Sequence, residues 1–215
     1  MSGMALIRTA DPDRTRASSE GASYLYVLPC VGEDLLKLGF SRQPLQRMQA
    51  LHTRYFEFFD LDRAFLVETE TVRDARDLEL ALGHTIAVHS APMPLLVREA
   101  AGGHSEWYRG AGEVLASEIS ALAVRGYTVH DPLRPWLRRE LLRGREDLFT
   151  WASTLLDGLA GEPEWLDQPQ TAALRQHALD TLDAYAAVDI PVADVLPDLL
   201  ARWYRDATGN AGRGG

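Results

Sequence analysis

The chain has 215 residues, 46% of them apolar and 25% charged, with a formal net charge of −9. That composition suits a soluble globular protein with a real core, and it lacks the overall basic footprint of a nonspecific nucleic-acid binder. No apolar run is long enough to span a membrane, and a single cysteine, Cys30, excludes an internal disulfide and a multi-cysteine zinc site, so the expected location is cytoplasmic.

Residues 1–21, "MSGMALIRTADPDRTRASSEG", have no apolar stretch of signal-peptide type and read as a disordered leader. The run "SYLYVLP" at 23–29 alternates and is rich in Tyr, Leu and Val, and "LLKLGF" at 35–40 has the same character. Pro29 and Gly32 between them punctuate a turn. A hairpin centred on Val31-Gly32 sets Tyr26 directly opposite Lys37 on one face of the sheet. Pro44 then opens a helix, with Ser41 as its cap, and Leu45, Met48, His52 and Tyr55 fall on one stripe. Arg47 points away from the centre of that stripe.

"RAFLVE" at 63–68 reads as a third strand, and "ETVRDARDLELALGHTIAV" as a helix. The apolar arc of that helix holds Val72, Ala75, Leu78, Leu82 and Ile86. At about 100° per residue Glu79 falls within the same arc, where a carboxylate is costly unless it is paired or holds a metal. Arg73 or Arg76 could pair with it. His84 and His89 lie near but supply no clear third ligand. Gly102-Gly103 opens a loop into "HSEWYRG", a short helix runs over "GEVLASEISALAV", and "YTVHD" either adds a strand or leads out.

Beyond Asp131 the composition turns rich in Leu, Ala and Trp, with helices expected near 134–142, 145–160, 170–187 and 192–206 and a disordered tail over 208–215. The expected fold class is therefore α+β, a small antiparallel or mixed sheet flanked by helices over 22–130, followed by an all-α region over 131–207. Residues 1–130 carry 13 basic against 17 acidic side chains, and 131–215 carry 9 against 14, so neither half is basic. One basic run, "RPWLRRELLRGR", offers Arg134, Arg138 and Arg139, which with Arg42 are the candidate nucleic-acid contacts. A solvated helix face is the plainer reading of that run.

The ordered series "YLYVL" (24–28), "LKLGFS" (36–41), Arg47, the "LE" at 78–79 and "EWY" (106–108) resembles the GIY-YIG nuclease superfamily, in particular its phage-type branch. Tyr24 stands where that family has its first Gly, and Lys37 where it has the second-motif Tyr. The resemblance covers about 22–125 and implies a metal-dependent endonuclease that hydrolyses DNA phosphodiester bonds. It implies Tyr26 as the base, assisted by Lys37, Arg47 and His52 on the phosphate, and Glu79 holding one Mg²⁺ or Mn²⁺. Lys37 is expected to lower the Tyr26 pKa, and Glu106 to anchor its loop. The rival expectation is a module of the same fold that binds nucleic acid or protein without chemistry. In either case the helical region is the place for a protein partner or for self-association.

Overall fold

The computed structural model describes residues 20–97 and 104–209. The leader (apart from residues 20–21), the Gly102-Gly103 turn and residues 210–215 of the tail lie outside the described residues.

Five antiparallel strands form one sheet: β1 (Glu20–Pro29), β2 (Leu35–Ser41), β3 (Phe65–Thr71), β4 (Trp107–Arg109) and β5 (Val129–His130), in the order β4-β2-β1-β3-β5. Among the described residues eight α-helices accompany them: α1 (Pro44–Leu51), α2 (Tyr55–Phe58), α3 (Val72–Thr85), α4 (Gly112–Val124), α5 (Arg134–Arg143), α6 (Arg145–Gly158), α7 (Ala172–Ala186) and α8 (Asp198–Gly209). The fold is α+β, with helices making up the C-terminal part.

The alternation of β1 explains the layering. Leu25 and Val27 point to one face with Leu36, Leu38 and Val67, and there they meet Leu82 and Ile86 after them in the chain and Leu115, Ile119 and Leu122 of α4. Tyr26 and Leu28 point to the other face with Leu66 and Trp107. That face joins a cluster containing Met48 and Leu51 of α1, Trp136, Leu137 and Leu141 of α5, Leu182 of α7 and Leu200 of α8. Successive side chains of a strand point to opposite faces, so a period of two in sequence becomes two separate cores.

The C-terminal helices thus share the core of the sheet's second face. Main-chain bonds reinforce the junction, with Leu133 N–H donating to the Ala64 carbonyl at 3.0 Å and Arg134 N–H to Leu61 at 3.2 Å. Arg54 reaches across to Asp180 at 2.7 Å and Asp183 at 2.9 Å on α7.

The hairpin register differs from the expected one by two residues. Tyr26 pairs with Gly39, and Lys37 with Leu28. The turn is four residues long rather than two, with Gly32 at φ +73 and the Cys30 N–H donating to Leu35 O at 2.8 Å. A shift of two preserves the face, so Tyr26 and Lys37 remain on one side but diagonal to each other.

The first helix also ends sooner than its stripe suggests. His52 is extended (φ −150, ψ 135), and Tyr55 opens the separate turn α2. Ser41 Oγ accepts from Gln43 N–H at 3.0 Å, but Ser41 sits two residues ahead of Gln43, the N-cap of α1, and does not cap it. Thr71 caps α3 by accepting from Asp74 N–H at 3.1 Å.

Candidate functional site

The site forms where β4 stops. Its three residues cover β2 only from Leu35 to Lys37, and Glu106, just ahead of β4, accepts from the Leu38 N–H at 3.0 Å through its carbonyl. Glu106 has φ +61, a left-handed backbone that a residue with a Cβ adopts at some cost and that is often kept at functional sites.

Lys37 is 2% exposed and its ammonium is fully engaged. It donates to the Leu38 carbonyl at 2.7 Å, the Ser105 carbonyl at 3.1 Å and Glu106 Oε2 at 3.3 Å, and lies 5.9 Å from the centroid of the Trp107 ring. Ser105 Oγ donates to the other Glu106 oxygen. Burial holds the Lys37 amine below its ordinary pKa, and the Glu106 carboxylate pulls it back.

Tyr26 is 3% exposed, and its ring lies flat against Gly39. Its hydroxyl oxygen accepts from Arg47 Nε at 3.3 Å. Here the expected electrostatics are corrected. Burial raises the Tyr26 pKa, and the opposing cation is Arg47, through its hydrogen bond and charge, rather than Lys37. The two-residue change of register explains this, because the Lys37 ammonium turns to the edge carbonyls and Glu106 instead of the phenol.

Glu79 is half-buried on α3, one turn before Gly83. Gly83 is where α3 closes on β4: a Cβ there would come within 3.0 Å of the Tyr108 hydroxyl. Residues four apart share a helix face, so Glu79 lies on the same side of α3 as Gly83. Burial raises its carboxyl pKa, the charge of Glu106 raises it further, and Lys37 and Arg76 act against both. Arg73 pairs instead with Asp77, at 3.7 Å.

Tyr26 is bonded to Arg47 and Lys37 to Glu106, and the charges of Glu79 and Glu106 reach both the Tyr26 phenol and the Lys37 amine, which makes these five residues the candidate cluster. Tyr108 belongs with them, its phenol raised by burial and then by Glu106 and Glu79. Sequence reasoning assigned Glu106 to its loop and left Tyr108 out. The signal was present in "EWY", but a three-residue strand has too little pattern to reveal which side chains turn inward.

His52 stays apart from the cluster. Its ring stacks on Phe58 at 4.5 Å with an 11° interplanar angle, and its Nδ1 accepts from Arg54 N–H at 3.2 Å. The three arginines singled out on α5 each have partners in the fold. Arg134 pairs with Asp62 at 2.6 Å and donates to the Ala187 carbonyl, Arg138 donates to the Asp189 carbonyl at 3.3 Å, and Arg139 lies 3.5 Å from His130 Nδ1. Arg42 is exposed between β2 and α1. His89 Nδ1 is 2.9 Å from the Arg109 carbonyl, and burial pushes the Cys30 thiol up to about 12, far from a nucleophile's range.

Among the described residues no three or more His, Cys, Asp or Glu side chains converge as a metal cage. Glu79 and Glu106 offer hard oxygen donors in a partly buried place where their charges repel. That suits an ion such as Mg²⁺, which is commonly held by one or two carboxylates with water and phosphate oxygens completing its shell. No described helix is long and apolar enough to cross a membrane. No protein-family model, curated protein or solved structure matches this chain.

Proposed function

We propose that the cluster at the β2–β4 edge hydrolyses phosphodiester bonds in DNA with the help of one divalent ion. The observation that carries this reading is the gathering, from β1, β2, α1, α3 and the approach to β4, of a phenol, two cations and two carboxylates. Such a reaction needs a group to take a proton from water, positive charge for the phosphate and a carboxylate for the ion. The single cysteine suits a reducing compartment, and the reading includes a cytoplasmic location.

Each residue then has a task. Arg47 binds a non-bridging phosphate oxygen and, through Nε, orients the Tyr26 oxygen. Tyr26 receives the proton of the attacking water once its own has been lost, a state the Arg47 charge favours and burial opposes. Glu79 holds the ion, with Glu106 beside it, and the bound ion supplies charge neutralisation at the phosphate. Lys37 fixes Glu106 and closes the sheet edge. Tyr108 feels the charge of both carboxylates.

The test is incubation of supercoiled and branched DNA with Mg²⁺, Mn²⁺ or chelator, using wild type, Tyr26→Phe and Glu79→Gln. Metal-dependent cleavage lost in both variants is expected. Cleavage undiminished in both would overturn the assignment. A second reading draws on the raised Tyr26 pKa and the net charge of −9: the same cluster serves a binding module without chemistry. DNA or protein binding by wild type, with no cleavage under any metal, would favour it.

A further inference from the structure

The segment that leads from α3 back toward the sheet edge carries two leucines in the open. Leu95 is 102% and Leu96 71% exposed. Single exposed leucines are ordinary on a protein surface, so their setting decides what they mean. Here the setting is an anchored turn. Val97 N–H donates to the Pro94 carbonyl at 3.1 Å, which closes a β-turn with Leu95 and Leu96 at its two central positions. Pro92 and Pro94 each fix a backbone angle ahead of those leucines. Val97, behind them, is 4% exposed and belongs to the same buried cluster as Tyr26 and Trp107, and Met93 packs against that cluster as well. The turn is therefore held on both sides while its tip stands apolar and open.

Its direction connects it to the candidate site. Ser90 pairs antiparallel with Tyr108, and Ala91 N–H donates to the Trp107 carbonyl at 2.8 Å. In an antiparallel pair one chain ascends as the other descends, so beyond Ala91 the chain heads toward Glu106 and the end of β4. Leu95 follows Ala91 by four residues, a span of at most about 14 Å, the length of about four base steps on a nucleic-acid strand. The charge balance then points to the occupant. At −9 the chain lacks the basic surface that ordinarily supplies the sequence-independent part of DNA affinity. A chain that acts on DNA in spite of this draws on contacts other than phosphates, and apolar side chains inserted between base steps are such contacts. The run "APMPLLV" over 91–97 is wholly apolar, so no charge within it opposes that insertion.

We propose that Leu95 and Leu96 form a wedge that enters DNA between base steps near the scissile phosphate, and that the preferred substrate is a duplex with locally weakened stacking, as at a mismatch. This rests on the reading of the sheet edge as a DNA-cleaving site and adds to it the class of DNA that is chosen. Insertion of a wedge costs stacking, and a mismatched pair has less stacking and pairing to lose. The wedge therefore selects such positions without reading base edges.

The probe is a duplex with one mismatch and a fluorescent aminopurine at the neighbouring step, whose emission rises when it unstacks; the fully paired duplex is the control. The full chain is used as wild type, as the double variant Leu95→Ser/Leu96→Ser, and as Glu79→Gln. Wild type is expected to bind the mismatched duplex about tenfold more tightly than the paired one, to brighten the aminopurine and to cleave that duplex preferentially. Both leucines are exposed, so the double variant should melt at the wild-type temperature and, at saturating protein, cleave the paired duplex as wild type does. It should lose the preference and the brightening. Equal affinity of wild type for the two duplexes, or preference and brightening kept by the double variant, would overturn the wedge; cleavage that Glu79→Gln abolishes would still support the catalytic reading. Preference and brightening that depend on the leucines, with no cleavage under any metal, would uphold the wedge and remove the catalytic reading. Absence of binding to either duplex would overturn both. A wild type that sediments as a dimer and a double variant that sediments as a monomer, with no difference on DNA, would assign the turn to a second copy of the chain and overturn the proposal.

Discussion

Substituting Gly39→Ala tests the site through packing rather than through chemistry. A Cβ at Gly39 would stand 2.4 Å from the Tyr26 hydroxyl oxygen, 2.5 Å from its Cζ and 2.7 Å from its Cε2. Ordinary carbon contacts are about 3.5–4.0 Å, so the ring has to retreat by about 1 Å. Tyr26 is 3% exposed and has Leu28, Leu66 and Trp107 in its cluster, so no free volume receives it. Overpacking of that kind costs about 1–3 kcal/mol. For a chain of this size each kcal/mol corresponds to about 2–4 °C in Tm, which circular dichroism melts resolve. The Arg47–Tyr26 hydrogen bond is already 3.3 Å long, and the displacement breaks it. A misplacement of about 1 Å at a reacting group can cost about a hundredfold in rate, so cleavage should fall by that order while the fold survives. A double-mutant cycle with Tyr26→Leu isolates the contact: the coupling should exceed about 1 kcal/mol, because the shorter side chain vacates the space. A Gly39→Ala protein with unchanged Tm and unchanged cleavage would refute the placement of the ring.

The wild-type pH–rate profile should keep rising through pH 10, since burial holds the Tyr26 phenol above its ordinary value near 10 and only the ionised form accepts a proton; a plateau near neutrality would remove Tyr26 as the base. Mn²⁺ affinity, measured by calorimetry, should weaken as pH falls through the upper end of the carboxylate range, because the raised Glu79 pKa lets protons compete early, and Glu79→Gln should abolish both the binding and its pH dependence. Lys37→Ala leaves the Leu38 and Ser105 carbonyls without a donor, so chemical denaturation should show a loss of about 1–3 kcal/mol, whereas unchanged stability would show that the three bonds are not made in solution. A fragment ending at Asp131 exposes the Tyr26–Leu66–Trp107 face of the sheet, so it should lose cooperative thermal unfolding; a sharp transition in that fragment would show that the sheet unit has a sufficient core of its own.

Much of this fold is legible from local pattern. The alternation of "YLYVL", Pro44 at a helix start and the 3.6-residue arc of α3 each act within a few residues, and each put its element in place. Glu79 was visible for the same reason, as a carboxylate on an apolar stripe. What escaped depends on distant groups. The two-residue register difference comes from a four-residue turn whose length the residues Val31-Gly32 alone do not fix. β4 forms because β2 offers an edge, and three residues have no period of their own. His52 lay on the stripe of an uninterrupted helix, but the chain extends at that residue and the ring stacks on Phe58 instead. The direction of the Tyr26 shift is set by burial in a core built partly from helices more than 100 residues away in sequence, which nothing in the hairpin announces. The arginine-rich run is a similar case: its charges are visible, but their partners Asp62, Ala187 and Asp189 are known only once α5 has docked.

The short borders of the sheet have a consequence for how the molecule meets others of its kind. β4 has three residues and β5 two, so neither edge offers a long row of open backbone groups on which another chain could add a strand. Where β4 ends and β2 would be bare, Glu106 takes the Leu38 N–H and the Lys37 ammonium takes the Leu38 carbonyl. A charge folded onto the edge in this way makes strand addition there unfavourable, since an incoming strand would have to displace it. The same lysine that belongs to the cluster at the sheet edge therefore guards against edge-to-edge aggregation. Any assembly of this chain with itself would then proceed through side chains of its helices rather than by extension of the sheet.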